Sequence, residues 1–291
     1  MSQCPLCGSD SSMVAYTGKI RMGDITHFSE NDHIVWKCQE CSVQWLADNN
    51  RSDEYYGSDA YRKEIGQKCD LQDYRSRHDG EVDYQLDMVP LRTYRDKVVA
   101  DIGCGGGSFL DAIRGFARQT IAVEINDAFL RQLLALGHRG YPTIDKLVAA
   151  GERPDVIVAQ SVIEHVENPR SFVLRIREAL QDHGTAIITT PNANDFLVTN
   201  GPPQYKSFFY RKAHAWYFDA DALLILMQHA GFRDIQIKYV HSYGLSNSLL
   251  WMRDRQGPGR RDIITDSACD FAWKNYLERT GQAERVICIA S

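Results

Sequence analysis

From Val98 onward the chain alternates between short apolar runs and stretches with apolar residues at helical spacing. The runs fall at 98–102, 120–125 (TIAVEI), 155–160 (DVIVAQ), 185–190 (TAIITT), 233–240 (RDIQIKYV) and 285–290 (RVICIA), with a weaker one at 139–143. Runs that stay apolar without alternation fit strands covered on both faces. Between them, 170–180 repeats apolar positions every three or four residues, and so does 219–230. Asp219 stands where a helix N-cap is wanted and Gly231 where that helix should stop. Strands alternating with helices predict an α/β fold: a seven-stranded, Rossmann-like sheet with helices on both faces. Residues 1–50 carry short alternating stretches such as HIVWK at 33–37, and residues 51–97 are rich in tyrosine and charge with no sustained strand pattern. The expected organisation is a small module at 1–50, a helical and loop lid and linker at 51–97, and an α/β domain at 98–291. That domain carries an insertion at about 241–284, broken by the turn signal Gly257-Pro-Gly.

The first strand runs into Asp101-Ile-Gly-Cys-Gly-Gly-Gly-Ser-Phe109, and a helix pattern opens at Phe109-Leu110. Gly103, Gly105 and Gly107 let the backbone turn sharply and approach a ligand closely. The helix N-terminus presents free N–H groups to the same place. This is the pattern of a nucleotide-cofactor loop. Glu124, twenty-one positions after Gly103 at the end of the second strand, is placed to accept both ribose hydroxyl hydrogen bonds. A dinucleotide fingerprint would want Gly or Ala where Ser108 stands. Asp101, read as lying on the turn, suits a ligand with an ammonium and a sulfonium and would repel a pyrophosphate.

Composition narrows the remaining classes. The chain has 291 residues, a formal net charge of -5 and 44% hydrophobic residues, which fits a globular protein without a global bias towards nucleic acid. The longest apolar run, near 222–227, is too short to span a bilayer, and MSQCPLCGSD has no basic segment followed by an apolar one. A cytoplasmic location is therefore expected, with the eight cysteines as thiols or metal ligands. Cys4-Pro-Leu-Cys7 and Cys38-Gln-Glu-Cys41 form two knuckles, each offering two corners of a tetrahedral zinc site. The intervening chain is long enough for a β-hairpin that folds one knuckle onto the other, so 1–50 reads as a zinc ribbon with a structural Zn2+. Three cationic residues against six acidic ones make this ribbon acidic, which disfavours nucleic acid as its partner.

The segments DIGCGGGSF (101–109), AVEIN (122–126), SVIEHVENP (161–169), GTAIITTPN (184–192) and HAWYFDADALLILMQHAGF (214–232), taken together, resemble the class I S-adenosylmethionine-dependent methyltransferases. The likeness is strongest to the group related to ubiquinone-biosynthesis O-methyltransferases, and it covers roughly residues 98–240. It implies S-adenosylmethionine as cofactor. Asp101, Gly103 and Gly105 would hold the methionine part, Gly107 would shape the loop and Glu124 would bind the ribose. Asn126 would flank the adenine, 142–146 would cover its edge, and Gln160 and Ser161 would lie beneath the sulfonium. A zinc ribbon joined to such a domain resembles methyltransferases of sugar, glycan and natural-product pathways.

The resemblance implies transfer to a hydroxyl oxygen of a small molecule or glycan precursor. The competing readings are an RNA or protein methyltransferase docking through its ribbon, and a non-enzymatic cofactor-binding regulator. For a hydroxyl acceptor His214 and His165 are the candidate bases. His165 has an alternative as the residue that fixes the loop under the cofactor, and His214 as a packing residue at a helix start. The aromatic segment 202–218 reads either as a satellite core or as a wall for a flat acceptor. Tyr55, Tyr56 and Tyr61 are lid candidates, and Arg75 and Arg77 are candidates for the cofactor carboxylate. The insertion offers a substrate-side surface or a homodimer contact.

Overall fold

The computed structural model describes residues 3–23, 26–48, 71–255 and 264–291. Two compact units emerge: Met1–Asn50 with Thr190–Ile225 and Ile237–Ile287, and Arg51–Thr189 with Leu226–Gln236 and Cys288–Ser291.

In the first unit β1 (Ser12–Gly18), β2 (His33–Cys38) and β3 (Gln44–Leu46) form an antiparallel meander. The β1–β2 pair is the hairpin expected between the two cysteine knuckles. A fourth strand comes from far along the chain: Trp216–Tyr217 pairs antiparallel with Gln44–Trp45. Ile20, Val35 and Leu46 bury themselves against Ala193, Tyr210 and Tyr217. The buried Tyr210 hydroxyl donates to Gln44 Oε1 at 2.7 Å, satisfying both polar ends. Part of the aromatic segment is therefore core. The insertion supplies two helices to this unit, Leu245–Asp254 and Ser267–Arg279. Trp251 is buried in the first, and Trp273 Nε1 donates to Ser248 Oγ across the pair.

The second unit carries most of a seven-stranded sheet. Helices Leu71–His78 (α1) and Gly80–Met88 (α2) precede it. Then follow β4 (Val98–Ile102), α3 (Ser108–Ile113), β5 (Gln119–Val123), α4 (Asp127–Ala135), β6 (Arg139–Tyr141), α5 (Ile144–Ala149), β7 (Val156–Gln160), α6 (Pro169–Ala179) and β8 (Thr185–Pro191). With Trp216–Tyr217 as β9, the last strands are β10 (Ile235–Val240) and β11 (Arg285–Ala290), and the sheet order is β10-β11-β8-β7-β4-β5-β6. The pairs β4–β5, β4–β7, β5–β6 and β7–β8 are parallel. This is the Rossmann-like sheet with flanking helices that the apolar runs predicted.

Element ends follow local chemistry. β5 stops at Val123, not at residue 125, with Glu124 N still donating to Tyr141 O of β6 at 3.1 Å. β6 stops at Tyr141 because Pro142 has no N–H to give and Thr143 caps the next helix through Lys146 N. α6 begins at Pro169, with Asn168 as cap accepting from Ser171 N. Among the described residues no helix is long and apolar enough to cross a membrane.

Candidate functional site

The glycine loop is held in an open shape from three directions. Gly103, Gly105 and Gly107 all have left-handed backbones, with φ of 67°, 53° and 73°. A Cβ on Gly103 would lie 2.7 Å from Val162 Cγ2, and one on Gly105 would overlap the Tyr74 hydroxyl. Glu124, 4% exposed, spans the loop base: Oε2 accepts from Gly105 N at 2.8 Å and Oε1 from Asn126 N at 2.8 Å. Arg75 clamps the far side, donating Nε to Gly106 O at 2.9 Å and Nη2 to Asp111 Oδ2 at 2.6 Å. Arg77 instead pairs with Asp73.

Two cavities meet at Gly103. One, of about 500 Å³, has an apolar lining that includes Ile102, Val123, Ile125, Pro142, Val162 and Phe172, with polar groups such as Asp145 and Asn168 at its edge. The other, of about 70 Å³, is lined by Asp101, Gln160, Ser108, Gln85, Tyr74 and His78 among others. Three of its oxygens are buried without a hydrogen-bond partner: Gln160 Oε1, Gln85 Oε1 and Ser108 Oγ. Buried acceptors left open are costly, so their convergence on one cavity calls for a ligand that is cationic or rich in donors.

Asp101 sharpens the same point. The sequence suggested a place on the turn; the structure puts it inside β4, level with Ala122 and Val158 on the neighbouring strands. Its carboxyl is raised well above the ordinary range, first by burial and then by the charge of Glu124. Two buried acids side by side are relieved by a cation. Burial, with Asp101 and Glu124 adding to it, also pushes the Cys104 thiol up, so that thiol stays protonated.

Other sequence candidates distribute unevenly. Gln160 ends β7 and lines the smaller cavity. Ser161, left-handed at φ 52°, donates its N–H to Thr189 O and lines neither of these cavities. Asn126 is buried and uses Oδ1 to cap α4 through Phe129 N at 3.1 Å. It lines neither cavity, and its neighbour Ile125 faces the larger one. Of 142–146, Pro142, Thr143, Ile144 and Asp145 line that cavity. His165, half-buried, lines it too, on a turn closed by His165 N to Val162 O at 2.9 Å. His214 belongs to the other unit, 4% exposed, with its ring 5.8 Å from that of Tyr217. Tyr55, Tyr56 and Tyr61 lie outside the described residues.

The four ribbon cysteines converge, each offering Sγ within 4.8 Å of the others. Cys4 Sγ is 3.7 Å from Cys41 Sγ, and Cys7 Sγ is 3.5 Å from Cys38 Sγ. Zn–S bonds of about 2.3 Å in a tetrahedron put sulfurs about 3.8 Å apart, so the geometry suits zinc. The knuckles turn on Gly8 (φ 78°) and Ser42 (φ 57°). The hydrogen bond with Cys41 lowers the Cys4 thiol to about 5 and drives that of Cys41 up.

A family model described as a methyltransferase domain matches residues 74–237, more than half of the chain. The chain belongs to this methyltransferase family. It is 25% identical over 197 residues to a ubiquinone biosynthesis O-methyltransferase of Ruegeria sp. (strain TM1040), covering 63% of this chain and 76% of the relative. To the protein of the same name in Cereibacter sphaeroides (strain KD131) it is 29% identical over 172 residues, covering 54% and 68%. Among solved structures, a SAM-dependent methyltransferase from Archaeoglobus fulgidus superposes with a TM-score of 0.52 at 16% identity, covering 75% of this chain and 97% of that one. Family and fold together make the chain a class I S-adenosylmethionine-dependent methyltransferase.

In this methyltransferase, sequence reasoning missed Gln85, Ser108 and Tyr74 as cavity residues. Gln85 sits in a short helix whose composition carries no ligand signal. Ser108 was visible only as the residue that breaks the dinucleotide pattern. Its place as first residue of α3, in the wall of the cavity, gives it a positive use.

Proposed function

We propose that this methyltransferase moves the methyl group of S-adenosylmethionine to a hydroxyl oxygen of a small molecule: a sugar, a glycan precursor or a natural product. The observation that carries the cofactor placement is the smaller cavity, where buried Asp101 and three open oxygens meet. Asp101, with Gly103 and Gly105, takes the methionine part, its carboxylate paired with the ammonium. Gln160, Gln85 and Ser108 supply oxygens to the same end. Glu124 serves the ribose while it holds Gly105 and Asn126 by their N–H groups, and Ile125, Pro142 and Val162 wall the adenine in the larger cavity. Asn126 shapes that wall by capping α4. Ser161, in its left-handed turn, positions Gln160. Gly107 shapes the loop.

The sulfonium supplies an activated methyl group, so the protein's task is alignment and the acceptor's proton. His214 is the proposed base, taking the hydroxyl proton as oxygen attacks carbon. His165 fixes the turn beside the larger cavity. Cys4, Cys7, Cys38 and Cys41 hold a structural zinc ion that locks the hairpin under its shared core. The oxygen acceptor is supported by the names of the ubiquinone O-methyltransferase relatives, and the small-molecule class by the acidic ribbon.

The test is incubation with S-adenosylmethionine labelled on its methyl group and an extract of the host cell, followed by separation of small molecules, glycans, RNA and protein. Label in a small-molecule or glycan fraction, in a methyl ether, is expected. Label confined to RNA or protein overturns the reading.

A further inference from the structure

Arg21, in the ribbon-bearing unit, is a cation with no carboxylate partner among the described residues. The residue is 5% exposed, and neither Nε nor Nη2 has a hydrogen-bond partner. Its guanidinium lies over the Phe208 ring, 4.2 Å from the centroid. Burial pushes its pKa down, and the groups that act against this are the phenols of Tyr217, Tyr205 and Tyr243. A buried guanidinium with open donors is an expensive arrangement, and its planar fork matches the oxygens of a carboxylate or phosphate.

The backbone neighbour of Arg21 is a second arginine. Arg211 bridges Arg21 in parallel register, and its Nε is also buried without a partner. The backbone fixes both residues. Arg21 N donates to Tyr210 O at 2.9 Å, and Lys212 N donates to Arg21 O at 2.9 Å. The Tyr217 hydroxyl accepts from Arg211 N at 2.8 Å and donates to Arg211 O at 3.0 Å. Neither side chain is needed for that framework. The acids whose charges act on Tyr205 have partners of their own. Asp195 accepts from Leu197 N and Val198 N, and Glu284 accepts from Ser242 N. Lys212 is paired with Asp48. The rings of Phe208, over which the guanidinium lies, and of Tyr205 are half-buried.

We propose that Arg21 and Arg211 form an oxyanion-binding site, which takes the phosphate or carboxylate group of a small molecule. The site stands independently of the acceptor proposed above; its anion is either a group carried by the methyl acceptor or a free ion.

Isothermal titration of the full chain with inorganic phosphate, and separately with acetate, tests this against chloride at equal ionic strength. Saturable binding of one oxyanion per chain is expected. Arg21→Gln should weaken it by about tenfold or more, with Arg21→Lys intermediate because a point charge replaces the fork. Arg211→Gln should weaken it less, and S-adenosylmethionine affinity should be unchanged in every variant. No saturable binding of either anion by the unaltered protein overturns the proposal, and so does Arg21→Gln with unchanged affinity. If circular dichroism shows Arg21→Gln unfolded, the unaltered protein and Arg211→Gln decide in the same way. The charge of the methyl-labelled product separates the two sources. Retention on an anion exchanger assigns the anion to the acceptor; a neutral product beside intact phosphate binding assigns it to a free ion.

Discussion

Glu124→Gln is the perturbation whose cost follows most directly from the structure. The Glu124 carboxylate is buried and accepts two backbone N–H groups, from Gly105 and Asn126, each at 2.8 Å. The amide keeps one acceptor oxygen and turns its own NH2 towards the other donor. One charge-assisted hydrogen bond is lost and a buried N–H is left facing a donor, a change of about 2–4 kcal/mol. Part of this is offset, because removing the Glu124 charge relieves Asp101, whose carboxyl that charge helps to raise. The net expectation is a stability loss of about 2 kcal/mol. The same change loosens the loop at Gly105 and removes the anionic ribose acceptor, so S-adenosylmethionine should bind roughly 10- to 100-fold more weakly, at about 1.4 kcal/mol per tenfold. Urea denaturation and isothermal titration on the same preparation measure both effects. A loss below about 0.5 kcal/mol together with unchanged cofactor affinity would refute the assignment of Glu124 as loop anchor and ribose ligand.

Three further perturbations address separate parts of the site. The Asp101 carboxyl is raised in the folded protein, so the stability it contributes is present at low pH and fades as pH rises through its folded pKa; a bound ammonium reverses the preference by stabilising the anion. Cofactor binding should therefore strengthen as pH rises towards neutrality and release a proton, seen as a buffer-dependent heat between phosphate and Tris; equal heats would count against the ion pair, and Asp101→Asn should remove the effect. Elemental analysis should find one zinc ion per chain, and its removal by chelation or Cys7→Ser should lower the melting temperature by roughly 10 °C; a metal-free protein of unaltered stability would contradict the structural zinc. His214→Ala should reduce kcat by about 10²–10³-fold while cofactor affinity stays within about twofold; unchanged turnover would remove His214 as the base.

The sheet was legible because its inner strands are buried on both faces and so read as unbroken apolar runs; all of the runs became strands, trimmed at ends where proline, caps or side-chain anchoring intervene. The glycine loop and the knuckles were legible because few residue types tolerate their backbone conformations or supply their ligands. Trp216–Tyr217 escaped notice because a two-residue strand has no period, and its partner β3 lies far away in sequence. Asn126, read as an adenine neighbour, also stands one residue before a helix, a natural capping place, and the structure uses its side chain there as a cap. Gln85 and Arg21 carry no local pattern at all. Their interest lies in polar atoms that folding buries without partners, which only the packed structure reveals.

The central claim is that S-adenosylmethionine spans the two cavities that meet at Gly103, and a crystal structure with S-adenosylhomocysteine tests it most directly. The account predicts the amino group within hydrogen-bond distance of Asp101, the sulfur end beside Gln160, the ribose at Glu124 and the adenine between Ile125 and Val162. A ligand with its adenine in the Asp101 cavity, or bound away from the glycine loop, would contradict it.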